Sequence, residues 1–118
     1  MEFKDKKSIY QQIGDNLCEM ILSGQLESGS KIPSVREQAA KLGVNQNTIM
    51  RTYSELQREG IIENKRGIGY FVTSEAHQSI MASRKQEFFT TVLPEIIKQI
   101  KLLKLNKEEL KELLNAIN

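Results

Sequence analysis

The sequence predicts a mainly α-helical fold carrying one small β-hairpin, with a helical appendage after it. Three observations carry that expectation. Apolar residues recur at helical spacing in three segments between Ile9 and Leu56, each followed by a glycine (Gly24, Gly43 and Gly60) suited to a helix end. Two β-prone runs, Ile61-Ile62-Glu63-Asn64-Lys65 and Tyr70-Phe71-Val72-Thr73, flank the turn Arg66-Gly67-Ile68-Gly69. After Thr73 the pattern becomes a long apolar stripe at helical spacing.

The chain has 118 residues, 39% hydrophobic and 27% charged, the composition of an ordinary folded domain with an appendage. No apolar run approaches the roughly 20 residues of a membrane span, and the start MEFKDKK is too polar for a signal peptide, so a cytoplasmic protein without membrane contact is expected. The one cysteine, Cys18, excludes an internal disulfide and is expected as an inert surface thiol off the apolar face of its helix. With one histidine and no Cys/His cluster, no metal and no cofactor are expected. A net charge of +2 does not announce a nucleic-acid partner, so local placement of charge must carry that reading.

Taken in order, Met1 to Lys7 read as a mobile charged arm. Ser8 and Gln11 form a capping box for a first helix whose core face is Ile9, Ile13, Leu17, Met20 and Ile21. The bend at Ser28-Gly29-Ser30 leads to Lys31-Ile32, a candidate short edge strand. Ser34 and Glu37 box the second helix, Val35 to Leu42, expected to bury Val35, Ala39 and Leu42. Asn45 caps the third, which runs to about Glu59. At about 100° per residue its Ile49, Tyr53 and Leu56 face inward, whereas Asn47, Arg51, Ser54 and Arg58 face outward with Met50 beside them. Ser74 to Leu103 reads as one long helix bent at Pro94. Asn106 and Glu109 cap a last helix bearing Leu110, Leu113, Leu114 and Ile117.

Three helices followed by a two-stranded wing make a winged helix-turn-helix, whose third helix suits the DNA major groove. On its outer face Asn47 can pair two-pronged with adenine, and Arg51 with guanine or a phosphate. Gln46 and Thr48 in the first turn can reach bases or phosphate, while Arg58 sits two turns further on, where the helix leaves the groove. Arg36 opposes the dipole of the second helix, so a phosphate or base contact explains it better than local stability. Lys65 and Arg66 at the hairpin tip can enter the minor groove or clamp the backbone.

The order and spacing of IYQQI, ILSGQL and IPSVREQAAKLGVNQNTIMRTYSELQREGIIENKRGIGYFV resemble the GntR family of bacterial transcription regulators over Ile9 to Val72. The resemblance implies DNA contacts at Ser34 and Arg36, at Gln46, Asn47, Thr48 and Met50, and in the wing at Arg66, Gly67 and Gly69. Many members carry arginine where this chain has Gln46 and Met50, which shifts base reading here towards Asn47, Arg51 and Arg36. Most relatives continue into a large effector-binding domain, whereas only residues 74–118 follow here. That short two-helix tail looks like the YtrA-type subfamily, in which it implies a dimerisation element and genes that accompany ABC-transporter operons.

Residues 1–73 are therefore expected as a winged helix-turn-helix DNA-binding domain and 74–118 as a helical dimerisation tail. The long helix is expected to expose Ile80, Met81, Phe88, Phe89, Val92, Leu93, Ile96, Ile97, Ile100 and Leu103, more than the last helix can cover. The function expected is a sequence-specific regulator, a repressor by family precedent, bound as a homodimer to an inverted-repeat operator in double-stranded DNA. A winged-helix protein-interaction adaptor is the alternative, and a small-molecule effector at the tail, of unknown identity, stays open. An enzyme is not expected: His77 has no catalytic companions, and Gly67-Ile68-Gly69 lies in a hairpin, the wrong context for a nucleotide loop.

Overall fold

The computed structural model describes residues 7–118. The arm expected over Met1 to Lys7 therefore lies, Lys7 apart, outside the described residues. The elements run α1 (Ile9–Leu22), α2 (Val35–Leu42), α3 (Gln46–Arg58), β1 (Ile62–Lys65), β2 (Gly69–Val72), α4 (Ala76–Glu87), a π-helical turn (Phe88–Val92), α5 (Leu93–Leu102) and α6 (Lys107–Asn115). They divide into two packed units, residues up to Ala82 and Ser83–Asn118.

Local signals account for where the helices of the first unit begin. The Gln11 side chain accepts from the Ser8 amide at 3.1 Å. Ser34 and Glu37 satisfy each other's amides at 2.9 and 3.1 Å, and Asn45 Oδ1 accepts from the Asn47 amide at 2.8 Å. Gly43, at φ 69°, closes α2 in the left-handed conformation that glycine adopts without steric cost.

The core of this unit is built on α3. Ile49 and Tyr53 are wholly buried, and burying each such side chain contributes roughly 1.5–3 kcal/mol. The Tyr53 hydroxyl donates to the Pro33 carbonyl at 2.8 Å, and its ring meets Tyr70 of β2 edge-on, centroids 4.9 Å apart. Burial holds the Tyr53 hydroxyl proton far above the ordinary phenol range, with the nearby Tyr70 and Glu37 adding to the effect. The Thr52 hydroxyl donates to the Tyr10 carbonyl at 2.8 Å and lies 3.0 Å from that of Thr48, tying α1 to α3.

The wing pairs antiparallel with Ile62 opposite Val72 and Lys65 opposite Gly69. Its outer edge takes the Ser28–Ile32 bend as a partial third strand. Lys31 bridges Phe71, Ile32 donates to the Tyr70 carbonyl at 3.0 Å, and Val72 donates to that of Ser30 at 2.9 Å. The edge strand expected at Lys31-Ile32 is thus present in minimal form.

Several sequence-based expectations are corrected. Cys18 is a core residue, not a surface thiol, and Ile9 is 52% exposed. The buried face of α1 is Ile13, Gly14, Leu17, Cys18 and Ile21, shifted towards Gly14 on the side where α3 packs. A Cβ at Gly14 would stand 3.6 Å from Thr52 Cγ2. In α2, Leu42 is exposed and Gln38 is buried with Ala39.

The first packed unit runs on to Ala82 and so takes in the start of α4. Ala76 and Ile80 of α4 join the first core, so Ile80 is no part of an exposed tail face. The long helix is not one α-helix bent at Pro94. It widens into π geometry over Phe88–Val92, where the Leu93 amide bonds the Phe88 carbonyl. Pro94 cannot donate and its ring crowds the carbonyl four residues back, and the turn before it absorbs the mismatch.

Candidate nucleic-acid interface

The outer face of α3 is built by the same periodicity that builds the core. With Ile49, Thr52, Tyr53 and Leu56 turned inward, Gln46, Asn47, Met50, Arg51 and Ser54 are left exposed and Thr48 half-buried. Arg51 does not hang loose: its guanidinium lies over the Tyr10 ring, 4.0 Å from the centroid. Such a cation–π contact is worth about 0.5–1 kcal/mol at an exposed site. Together Ser8, Ile9, Tyr10, Asn47, Thr48 and Arg51 line a shallow hollow between the start of α1 and the start of α3. Arg58 is engaged otherwise, in an ion pair with Glu55 one turn back.

At the start of α2, Ser34 and Arg36 are exposed. The Ser34 hydroxyl oxygen is occupied by the Glu37 amide, but its own proton can still be given to an anion. The Ser34 amide, and after it the Ser34 hydroxyl, hold the Glu37 carboxyl below its ordinary value of 4.5, so Glu37 stays ionised as the helix cap.

In the wing, Gly67 (φ 79°) and Gly69 (φ 135°) carry the tight turn, and Arg66, Gly67 and Ile68 stand exposed at its tip. Lys65 lies with its ammonium 4.6 Å from the Phe71 ring centroid. Gly69 also permits a close approach: a Cβ there would stand 2.9 Å from Lys31 Cε, so the Lys31 side chain runs along the wing.

Residues 9–72 match the family described as bacterial regulatory proteins, gntR family. The chain belongs to the GntR family. The HTH-type transcriptional regulator YhcF of Bacillus subtilis is 43% identical to it over 111 residues, covering 94% of this chain and 90% of YhcF. The HTH-type transcriptional repressor YtrA of the same organism is 38% identical over 92 residues, covering 78% of this chain and 67% of YtrA. A solved GntR family transcriptional regulator from Listeria monocytogenes is similar with a TM-score of 0.76 and 32% identity, over 98% of this chain and 100% of that one. The DNA-binding domain of AraR, solved in complex with operator ORR3, is similar over 62% of this chain and 88% of its own, with a TM-score of 0.56 and 25% identity.

This GntR-family chain is accordingly a transcription regulator with a DNA-binding winged helix, and not an enzyme. Among the described residues no helix is long and apolar enough to cross a membrane. The structure gathers Asn47, Thr48 and Arg51 at one hollow and puts Ser34 and Arg36 on α2. Lys65, Arg66, Gly67 and Gly69 lie on the hairpin.

Two neighbours of these positions escaped the sequence reading. Tyr10, which orients Arg51, lies off the apolar stripe of α1, and its only signal was an aromatic ring without a core role. Lys31 carries a strand signal, but a lysine before the proline of a helix-turn-helix is also a cation within reach of its wing.

In the second unit, Phe88, Phe89, Ile96, Ile97 and Leu103 are exposed, while Val92, Leu93 and Ile100 are half-buried. Phe88 and Phe89 meet edge-on, with centroids 5.4 Å apart.

Proposed function

We propose that the chain is a homodimeric repressor that binds an inverted-repeat operator, each subunit laying α3 in a major groove and its wing on the adjacent minor groove or backbone. The observation that carries the reading is the outer face of α3: polar and basic, exposed, and backed by a sealed core. Asn47 and Gln46 are the base-edge readers, with Thr48 beside them. Arg51, drawn over Tyr10 towards the start of α1, suits a phosphate at the groove's rim better than a base. Ser34 and Arg36 hold the backbone on one side of the groove, and Lys65 and Arg66, with the bare Gly67 and Gly69 backbone, hold it on the other.

The tail supports two-fold assembly. Its apolar side chains include Phe89, 61% exposed, and leaving several such residues wet forgoes roughly 1.5–3 kcal/mol each. Phe88, Phe89, Val92, Leu93, Ile96, Ile97, Ile100 and Leu103 would form the self-complementary face. Repression is the outcome borne in the name of the relative YtrA, AraR supplies the precedent for an operator, and a DNA partner supports a cytoplasmic location.

The test is a fluorescence titration of the full chain on DNA flanking its own gene across a salt series. Specific retention with a steep fall of affinity as salt rises is expected for several phosphate contacts. A flat salt dependence, or no retention of any fragment, would return the chain to the adaptor reading.

A further inference from the structure

We infer that Met50 is a thymine reader, packing on the C5-methyl group of a thymine in the major groove beside the base contacted by Asn47. The inference rests on the proposed entry of α3 into that groove and names what the helix reads there.

Met50 is 54% exposed, whereas the other large apolar side chains of α3, Ile49, Tyr53 and Leu56, are buried. It stands on a face otherwise made of amides, hydroxyls and a guanidinium. At 100° per residue it lies about 60° from Asn47, on the side away from Arg51. A residue three positions on is also a surface neighbour of Asn47 along the helix. Arg51 is drawn to the Tyr10 ring, so its guanidinium leaves the space in front of Met50 uncontested.

The base edges in a major groove offer hydrogen-bond donors and acceptors and one apolar group, the thymine methyl. A thioether pressed against any other edge strips water from a polar atom and returns no hydrogen bond. Against a methyl it buries apolar surface on both sides, and the unbranched, polarisable side chain can follow the methyl's position. The half-site should therefore hold a T·A pair next to the A·T pair that Asn47 reads. An arginine at this position would ask for guanine instead.

The experiment selects duplexes from a random-sequence pool with the full chain, then replaces each thymine of the selected duplex by 2′-deoxyuridine, symmetrically in both half-sites. At one symmetry-related pair of thymines, loss of the methyl should weaken wild-type binding about fourfold per half-site, the worth of burying one methyl-sized group. Met50→Ala should bind more weakly but be indifferent to that replacement, whereas Met50→Leu should keep the sensitivity. Placing 5-methylcytosine at the same position should recover part of what cytosine loses. Uracil without effect at every position, or an equal effect in Met50→Ala, overturns the assignment. A pool from which no duplex is retained overturns the proposed operator binding itself. Met50 is exposed, so an unchanged circular-dichroism melt separates these results from misfolding.

Discussion

The two units of this chain carry similar proportions of apolar side chain and treat it in opposite ways. Up to Ala82 the apolar faces of α1, α2, α3, the wing and the start of α4 close on one another, with Ile49 and Val72 at most 1% exposed. From Ser83 to Asn118 the chain is just as regularly helical, yet no residue is buried. A stripe of apolar residues is enough to make a helix amphipathic, but burial needs a second layer to face it. The first unit supplies its own second layer, and in the proposed dimer a partner copy would supply that of the second.

The comparison breaks most readily at the tail. Phe89→Glu combined with Ile97→Glu should convert a dimer to a monomer in sedimentation equilibrium. Operator affinity should fall by about 10²–10⁴, because the second half-site loses its effective concentration. A persistent dimer would mean that the tail is not what joins two copies.

Next in size is Ile49→Ala, which should cost about 2–5 kcal/mol in urea unfolding, as cavity-forming substitutions do. Its loss should be independent of protein concentration, whereas that of Ile97→Ala should change with dilution, because the proposed dimer puts its partner in another molecule. The same concentration behaviour for both would erase the distinction between the units.

Smaller effects sharpen the DNA-facing side of the first unit. Arg51→Ala should weaken operator binding by about 1–3 kcal/mol and leave the thermal midpoint in place. Tyr10→Leu, which removes the ring beneath the guanidinium, should cost about 0.5–1 kcal/mol of the same affinity and nothing in a strain already carrying Arg51→Ala.

The smallest effect concerns pH. The Ser34 amide and hydroxyl depress the Glu37 value, so the ionised cap contributes stability above the ordinary carboxylate value of 4.5 and loses it as pH falls through the depressed one. Glu37→Gln keeps the acceptor without the titration, and its acid melt should fall less steeply than that of the wild type below about pH 4.5.

Much of the fold was legible because its signals are local. Ser34-Glu37, Asn45 and Asn106-Glu109 cap helices where the sequence places them, since a side chain three residues from an orphan amide needs no tertiary help to reach it. The glycine-framed wing was legible for the same reason. The exposed side of α3, on which the candidate interface is proposed, was legible because it is the complement of the apolar face. Its internal organisation was not: nothing in the spacing of Tyr10 and Arg51 announces a stacking contact across two helices.

Sequence by itself determined the kinds of element, their order, their caps and the sorting of α3 into an inward and an outward side. Only the tertiary structure decided that the flank of α1 holding Gly14 and Cys18 is buried, and that Ala76 and Ile80 belong to the first core. It also decided that the strain ahead of Pro94 is taken up as a π turn. The physical reason is range. Capping and periodicity act within a few residues, whereas the choice of which flank is buried depends on how closely a distant helix can approach. At α1, α3 packs on the flank that holds Gly14, and hydrophobicity patterns do not mark that flank.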